Sequence, residues 1–140
     1  MKYAIIGCGR ISKNHINAAI DNDLEIVAIC DTKLSCMTKA KELHGLSDDV
    51  QLIDDYKLML EKVKPDIVAI CTESGYHAQI ALDCMDYNCH LIIEKPIALS
   101  LKDADLIIQK SKQKDLKVSA CHQNRFNLSI QKMKEALDQG

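Results

Sequence analysis

The chain has 140 residues, enough for one domain with a sizeable core. Apolar residues make up 47% of it, which excludes a disordered segment. The net charge of −2 and the isoelectric point near 6.2 leave no basic surplus to neutralise phosphates, which excludes nucleic-acid and membrane-surface binding.

The first element is the apolar run Met1–Ile6. It feeds directly into Gly7-Cys8-Gly9-Arg10-Ile11-Ser12, and a helical pattern follows over Lys13–Asp21. A buried strand, a glycine turn and a helix in that order are the parts of a dinucleotide-binding site. Gly7 lets the chain turn tightly out of the strand. Gly9, without a Cβ, lets a pyrophosphate approach the backbone. The free N–H groups at the helix start then face the anion. Ser12 stands where the pattern has a third glycine; it is still small enough for close helix–strand packing. Taken alone, such a loop reads equally well as a steric strand ending.

The second strand changes that balance. Leu24–Cys30 is apolar and β-branched and ends at Asp31, where a βαβ unit places a carboxylate to accept from an adenosine ribose, about 20 residues beyond the glycines. An amphipathic helix is predicted over Leu34–His44, stopped by Gly45. A short strand over Val50–Ile53 and a helix over Asp55–Glu61 come next. Pro65-Asp66 leads into a third buried strand, Ile67–Cys71. Tyr76–Tyr87 reads as a helix with Ile80, Ala81, Cys84 and Met85 on its apolar side. His90–Ile93 is a strand. Ser100 with Asp103 forms a capping box opening a helix to Gln113, and Leu116–Cys121 is the last strand. Leu128–Leu137 carries Ile130, Met133 and Leu137 at helical spacing, an apolar stripe for a further domain or for the sheet.

Strands that are continuously apolar imply a parallel sheet covered on both faces. The fold class is therefore α/β, a doubly wound, mainly parallel sheet. In such sheets function gathers at the carboxyl ends of the strands. Here these are Gly7–Ser12, Asp31, Cys71–His77, Glu94–Pro96 and Cys121–Asn127. All are rich in polar, glycine or proline residues, and the opposite loops are expected to be less so.

Glu94-Lys95-Pro96 is chemically the richest. Lysine carries a compact charge and can serve as acid, base or hydrogen-bond donor. The Lys95–Pro96 bond is a candidate cis peptide. The plainer alternative is a surface Glu–Lys ion pair before a turn proline. In Thr72-Glu73-Ser74-Gly75-Tyr76-His77, Ser74 or Thr72 can cap the helix, and His77 faces either a cofactor ribose or solvent. In Gln123-Asn124-Arg125-Phe126-Asn127, Arg125 can anchor an anion, though such loops usually connect elements in solvent.

The seven cysteines, an odd number without a CxxC, indicate neither a disulfide framework nor a zinc site. They read as buried, reduced thiols acting as small hydrophobes, which suits a cytoplasmic location. The five histidines show no HxxxH or HExxH spacing, so no metal site is predicted.

GCGRISKNH, CTESGYHAQIAL, EKPIALS and HQNRFN, in that order and spacing, resemble the glucose–fructose oxidoreductase / inositol dehydrogenase (Gfo/Idh/MocA) family over nearly the whole chain. The resemblance implies a Rossmann domain that binds NAD, over residues 1–122. It implies that residues 123–140 cross to a C-terminal substrate domain, absent from this chain, which supplies the catalytic histidine and aspartate. The implied reaction passes a hydride between NAD(H) and a hydroxyl or ketone of a sugar, sugar nucleotide or polyol. The wording of GCGRIS and QNRFN is most similar to dehydrogenases of UDP-N-acetylated hexuronates. The resemblance makes Lys95 the active-site lysine, in contact with substrate as well as cofactor. It adds Arg10, Ile11, Cys71, Thr72, His77, Glu94 and Gln123 to Gly7, Gly9 and Asp31 as cofactor-binding residues, and Arg125 as a substrate contact. His77 and Glu94 would lie near the nicotinamide ribose. A homo-oligomeric parent and a weakly dimerising fragment are expected. The alternative function is a non-catalytic module that senses NAD(H) or binds a partner; such a module needs no lysine at the nicotinamide end.

Overall fold

The computed structural model describes residues 1–140. Six strands form one sheet, paired in parallel throughout in the order β3-β2-β1-β4-β5-β6: β1 (Lys2–Ile6), β2 (Glu25–Cys30), β3 (Gln51–Ile53), β4 (Ile67–Ile70), β5 (His90–Ile93) and β6 (Val118–Ala120). Between them run α1 (Ser12–Asp21), α2 (Leu34–Leu43), α3 (Tyr56–Val63), α4 (His77–Asp86) and α5 (Leu101–Gln113), and α6 (Leu128–Gln139) follows β6. Short 3₁₀ turns lie at Ser74–Tyr76 and Gln123–Phe126. The order reverses between β1 and β4, and the carboxyl ends of those two strands open the crevice where ligands bind in such sheets.

The two faces of β1 explain why its pattern is unbroken rather than alternating. Ala4 and Ile6 pack with Met59 and Leu60 of α3 and with Ile80 and Met85 of α4. Tyr3 and Ile5 pack on the other face with Ile16 and Ala19 of α1 and Met37 of α2. A strand buried on both sides has no polar phase. Asp83 stitches α3 to α4, accepting from Tyr56 Oη at 2.7 Å and Gln79 Nε2 at 2.9 Å, with Lys57 Nζ at 3.2 Å. Burial opposes ionisation of Asp83, but these bonds outweigh it and hold its carboxyl below the ordinary carboxylate value.

The helix starts and stops have local causes. Asp55 caps α3 by accepting from the N–H groups of Lys57 and Leu58. Ser100 caps α5 by accepting from Asp103 N–H at 3.1 Å, while its hydroxyl donates to the Asp103 carboxylate at 2.8 Å. That is half of the expected capping box, since the carboxylate takes the serine hydroxyl rather than its N–H. Gly45 ends α2 with φ at +58°, as expected. The stops after α1, α3, α4 and α5 use Asp23, Lys64, Asn88 and Asp115, all left-handed without being glycine.

At the periphery one expectation needs correction and one of two alternatives falls away. The opposite loops are not poor in polar residues: Lys2, Glu25, Ser47, Asp49 and Lys62 line a hollow of about 360 Å³ at the amino ends of the strands. Composition therefore does not single out the carboxyl edge; backbone geometry does. The stripe of α6 does not return to the sheet either: Leu128, Ile130, Met133 and Leu137 are all exposed, and the helix buries no residue. No helix is long and apolar enough to cross a membrane.

Candidate functional site: the carboxyl edge of the sheet

Gly7 is the steric key to the edge. Its φ is +93°, and a Cβ there would lie 2.7 Å from the Cys71 carbonyl carbon and oxygen and 2.8 Å from Thr72 N. The chain leaving β4 thus runs against the turn leaving β1, and no side chain fits between them. Gly9 differs: it is exposed, and a Cβ there would meet nothing within 4 Å. Its open side is room for a ligand, not for the fold.

The start of α1 faces that room. The N–H groups of Arg10, Ile11 and Lys13 donate no backbone hydrogen bond, and no side chain caps the helix. Unpaired N–H groups at a helix start, beside a glycine with open space, form a cradle for a phosphate. Ser12 is buried, and its hydroxyl donates to Gly9 O at 2.6 Å. The serine in place of the third glycine therefore packs against the strand and also fixes the turn. Arg10 is exposed and Ile11 half-buried at the mouth of the turn.

Asp31 closes the other side. Its carboxylate accepts from Cys8 N–H at 2.8 Å and from Lys33 N–H at 2.9 Å, one bond to each oxygen. Each oxygen keeps a lone pair for a further donor, and two fixed bonds hold the group in one orientation. The cleft beside it measures about 760 Å³ and is lined by Gly9, Asp31 and Thr72 among the expected residues. Thr32, Lys33, Cys36, Asp54, Tyr56, Glu73 and Tyr76 also line it, none singled out as cofactor contacts by the sequence reading. Asp31, Asp54 and Glu73 face it against one ammonium, Lys33, so the cleft repels an additional phosphate. Pinned acid, phosphate cradle and cleft together fit a dinucleotide with an unmodified ribose.

Farther along the edge, Glu94 follows β5 and points at α1. His15 Nε2 lies 2.9 Å from Glu94 Oε1, and the two residues are 7% and 8% exposed. The second carboxylate oxygen accepts from Lys95 N–H at 3.3 Å. Glu94 and Lys95 thus do not form the surface ion pair of the plainer reading: the glutamate is buried against a histidine. The Lys95 side chain is exposed and makes neither a hydrogen bond nor an ion pair with the protein. The Lys95–Pro96 peptide is cis.

His77 departs from both of its expected settings. It is 1% exposed, with Nδ1 at 2.7 Å from Pro96 O and Nε2 at 3.0 Å from Thr72 O. Both ring nitrogens lie within hydrogen-bond distance of main-chain carbonyls, with the N–H of a given tautomer donating to one of them, so the imidazole sits between two loops of the site and faces neither a ribose nor solvent. Cys71 is buried, and burial, reinforced by Glu94, pushes its thiol well up. What Cys71 and Thr72 offer a ligand is mainly backbone under the glycine turn. Gln123 and Arg125 are exposed on the 3₁₀ turn after β6, outside the cleft, and Arg125 has no acidic partner. The register Ile93↔Ala120 pairs the ends of β5 and β6, so the chains leading to Lys95 and to that turn leave the sheet at the same edge.

His15 is the functional-edge residue that sequence reasoning missed. The signal lay in its place one turn into the helix after the glycine loop; its partner is 79 residues away and carries no local mark. All seven cysteines are free, and five of them are buried, as the sequence indicates; Cys36 and Cys121 are half-buried.

Known proteins share this arrangement. The sequence model of the GFO_IDH_MocA family, described as an oxidoreductase family with an NAD-binding Rossmann fold, matches residues 1–122. D-glucoside 3-dehydrogenase of Escherichia coli is 31% identical across the whole chain, and myo-inositol 2-dehydrogenase of Thermotoga maritima is 28% identical. The chain spans about 40% of the length of these curated relatives. The crystal structure of the WlbA dehydrogenase from Bordetella pertussis, in complex with NADH and UDP-GlcNAcA, superposes with a TM-score of 0.88 at 30% identity, covering all of this chain and 40% of that one. The chain belongs to the GFO_IDH_MocA oxidoreductase family and constitutes its NAD-binding Rossmann fold.

Proposed function

We propose that this chain is the nicotinamide-binding part of a dehydrogenase that acts on a hydroxyl or ketone of a sugar, sugar nucleotide or polyol. The observation that carries this reading is the unpaired ammonium of Lys95 at the same strand edge as the Gly9–Asp31 cradle. A sensor or partner-binding module needs the cradle but no free lysine beyond it, so the enzyme reading is preferred to that alternative.

Each residue has a definable task. The α1 N–H groups and Gly9 receive the pyrophosphate, and Asp31 accepts from the ribose hydroxyls. Bound NAD(H) supplies the hydride acceptor or donor. The Lys95 ammonium would donate a hydrogen bond to the substrate oxygen and polarise it, while the proton that the hydroxyl loses or gains would be handled from the substrate-domain side. Glu94 anchors Lys95 through the main-chain N–H and is itself held by His15. His77 fixes Thr72 and Pro96, and so acts by positioning rather than by touching the ribose. Gln123 on the cofactor side and Arg125 on the substrate side extend the site along the edge. Residues 123–140 are the crossover to a substrate-binding domain, a division supported by the absence of any buried residue in α6. The stripe of Ile130, Met133 and Leu137, left open, favours a weak, concentration-dependent dimer of the isolated chain. The cytoplasm is the proposed location, and a UDP-linked N-acetylhexuronate is the finer substrate assignment, supported by the likeness to WlbA.

The test is Lys95→Met in the full-length enzyme, assayed by NADH formation with UDP-sugars, glucosides and inositols. A kcat reduced by about 10²-fold or more with cofactor affinity little changed is expected. Near-normal turnover would remove Lys95 from the chemistry.

A further inference from the structure

Glu94 has a second set of neighbours that the dehydrogenase reading does not use. The parallel ladder continues one residue past each strand: Cys71 N–H donates to Ile6 O, Glu94 N–H to Ile70 O and Cys121 N–H to Ile93 O. Cys71, Glu94 and Cys121 therefore occupy equivalent positions on β4, β5 and β6. Their side chains share one face, since strand residues alternate and Ile70 and Ile93 face the α3–α5 side. That shared face is the one α1 covers, and α1 places His15 over Glu94. One nitrogen, one carboxylate oxygen and one sulfur, from His15, Glu94 and Cys121, all lie within 4.8 Å of one another.

We propose that His15 Nε2, Glu94 and Cys121 Sγ form a binding site for a borderline-soft divalent cation of the zinc type. The donor set is the argument. Imidazole nitrogen, carboxylate oxygen and thiolate sulfur are the three ligand types zinc takes, at about 2.0–2.3 Å each. Tetrahedral ligands at those lengths lie about 3.3–3.6 Å from one another. The His15–Glu94 separation of 2.9 Å thus opens slightly around an ion, and the sulfur lies within 4.8 Å of both partners, inside the reach of a shared ion. The three ligands come from α1 and from the ends of β5 and β6, and His15 and Glu94 are buried, so the framework holds them in place. Three protein ligands leave a fourth position for water. Binding replaces the Cys121 S–H bond by a sulfur–metal bond, and the thiol proton leaves to solvent. Cys71 lies on the other side of Glu94 in the same row, and Tyr3 is close by on β1; burial holds both in their protonated forms, so the groups on the carboxylate are the His15 ring, the Cys121 thiol and the Lys95 N–H. Because Lys95 N–H uses the other oxygen of Glu94, an ion on Oε1 leaves the anchor of Lys95 in place and clamps α1 to the β5–β6 edge.

The experiment uses the 140-residue chain, reduced and metal-free, titrated with Co²⁺ as a spectroscopic stand-in and then with Zn²⁺. One equivalent of Co²⁺ should give a thiolate-to-metal absorption band that Zn²⁺ abolishes by displacement. Zn²⁺ should also raise the thermal midpoint by mass action. Cys121→Ser should lose the band and the thermal response, whereas Cys36→Ser, which changes the other half-buried thiol, should keep both. His15→Gln should weaken Co²⁺ affinity by about tenfold or more. An NADH titration of each variant reports on the cofactor cradle separately, so loss of metal binding and loss of the dehydrogenase reading are distinct results. Absence of a saturable thiolate band in the unmodified chain, or a band that survives Cys121→Ser, overturns the assignment.

Discussion

His15 and Glu94, 79 residues apart in sequence, meet at 2.9 Å with less than a tenth of either residue exposed. The pair joins the helix that starts at the phosphate cradle to the loop that presents Lys95. Removing His15 takes a hydrogen-bond partner from the buried Glu94 carboxyl, at a cost of about 1–3 kcal/mol, the upper end for a charged group. His15→Ala should therefore lower unfolding free energy by about 1–3 kcal/mol in urea titrations. Glu94→Ala combined with His15→Ala should cost less than the two single changes added together, because each removes the burden the other leaves. Strict additivity would show that the two side chains do not interact.

The two glycines of the first turn should separate folding from binding. Gly7→Ala forces a Cβ to 2.7 Å from the Cys71 backbone at a φ of +93°. It should destabilise the domain by about 2 kcal/mol or more. Gly9→Ala meets no atom within 4 Å, so thermal stability should change little while NADH affinity falls at least tenfold. If Gly9→Ala binds NADH normally, the pyrophosphate does not pass over that turn.

Alkaline pH should destabilise the fold through its thiols. Burial pushes Cys8 and Cys30 up to about 12 and Cys89 up to about 11, from an ordinary value of 9.0. The folded chain therefore keeps protons that the unfolded chain releases. The associated stability is complete below about pH 9 and is lost as pH rises through the folded values of 11–12. Thermal midpoints should be level from about pH 7 to pH 9 and fall above it. Cys36→Ala should leave that alkaline fall unchanged, and Cys89→Ala should reduce it.

Much of this architecture can be read along the chain because β1, β2, β4 and β5 pack on both faces and, past the opening residues Lys2, Glu25 and His90, carry no charged residue to break their runs. Asp31 was legible for the same reason: it is the first charged residue after such a run. Other features depend on distant partners. His15 looks like an ordinary helix residue until β5 brings Glu94 beside it. Glu94 and Lys95 read as an ion pair because sequence adjacency says nothing of which side each faces. His77 suggested a ligand contact because no local signal shows that Thr72 O and Pro96 O converge on its ring. The left-handed stops at Asp23, Lys64, Asn88 and Asp115 have no glycine to mark them in the sequence; the Asp and Asn among them are the available clue.

The most direct test of the central claim is a calorimetric titration of the 140-residue chain with NADH and with NADPH, repeated on Asp31→Ala. Asp31 is held by two N–H groups and shares its cleft with Asp54 and Glu73, so NADH should bind more tightly than NADPH, by about tenfold or more. Asp31→Ala should weaken NADH binding and narrow that gap. Equal or tighter binding of NADPH, or no binding of either dinucleotide by the folded chain, would contradict the account.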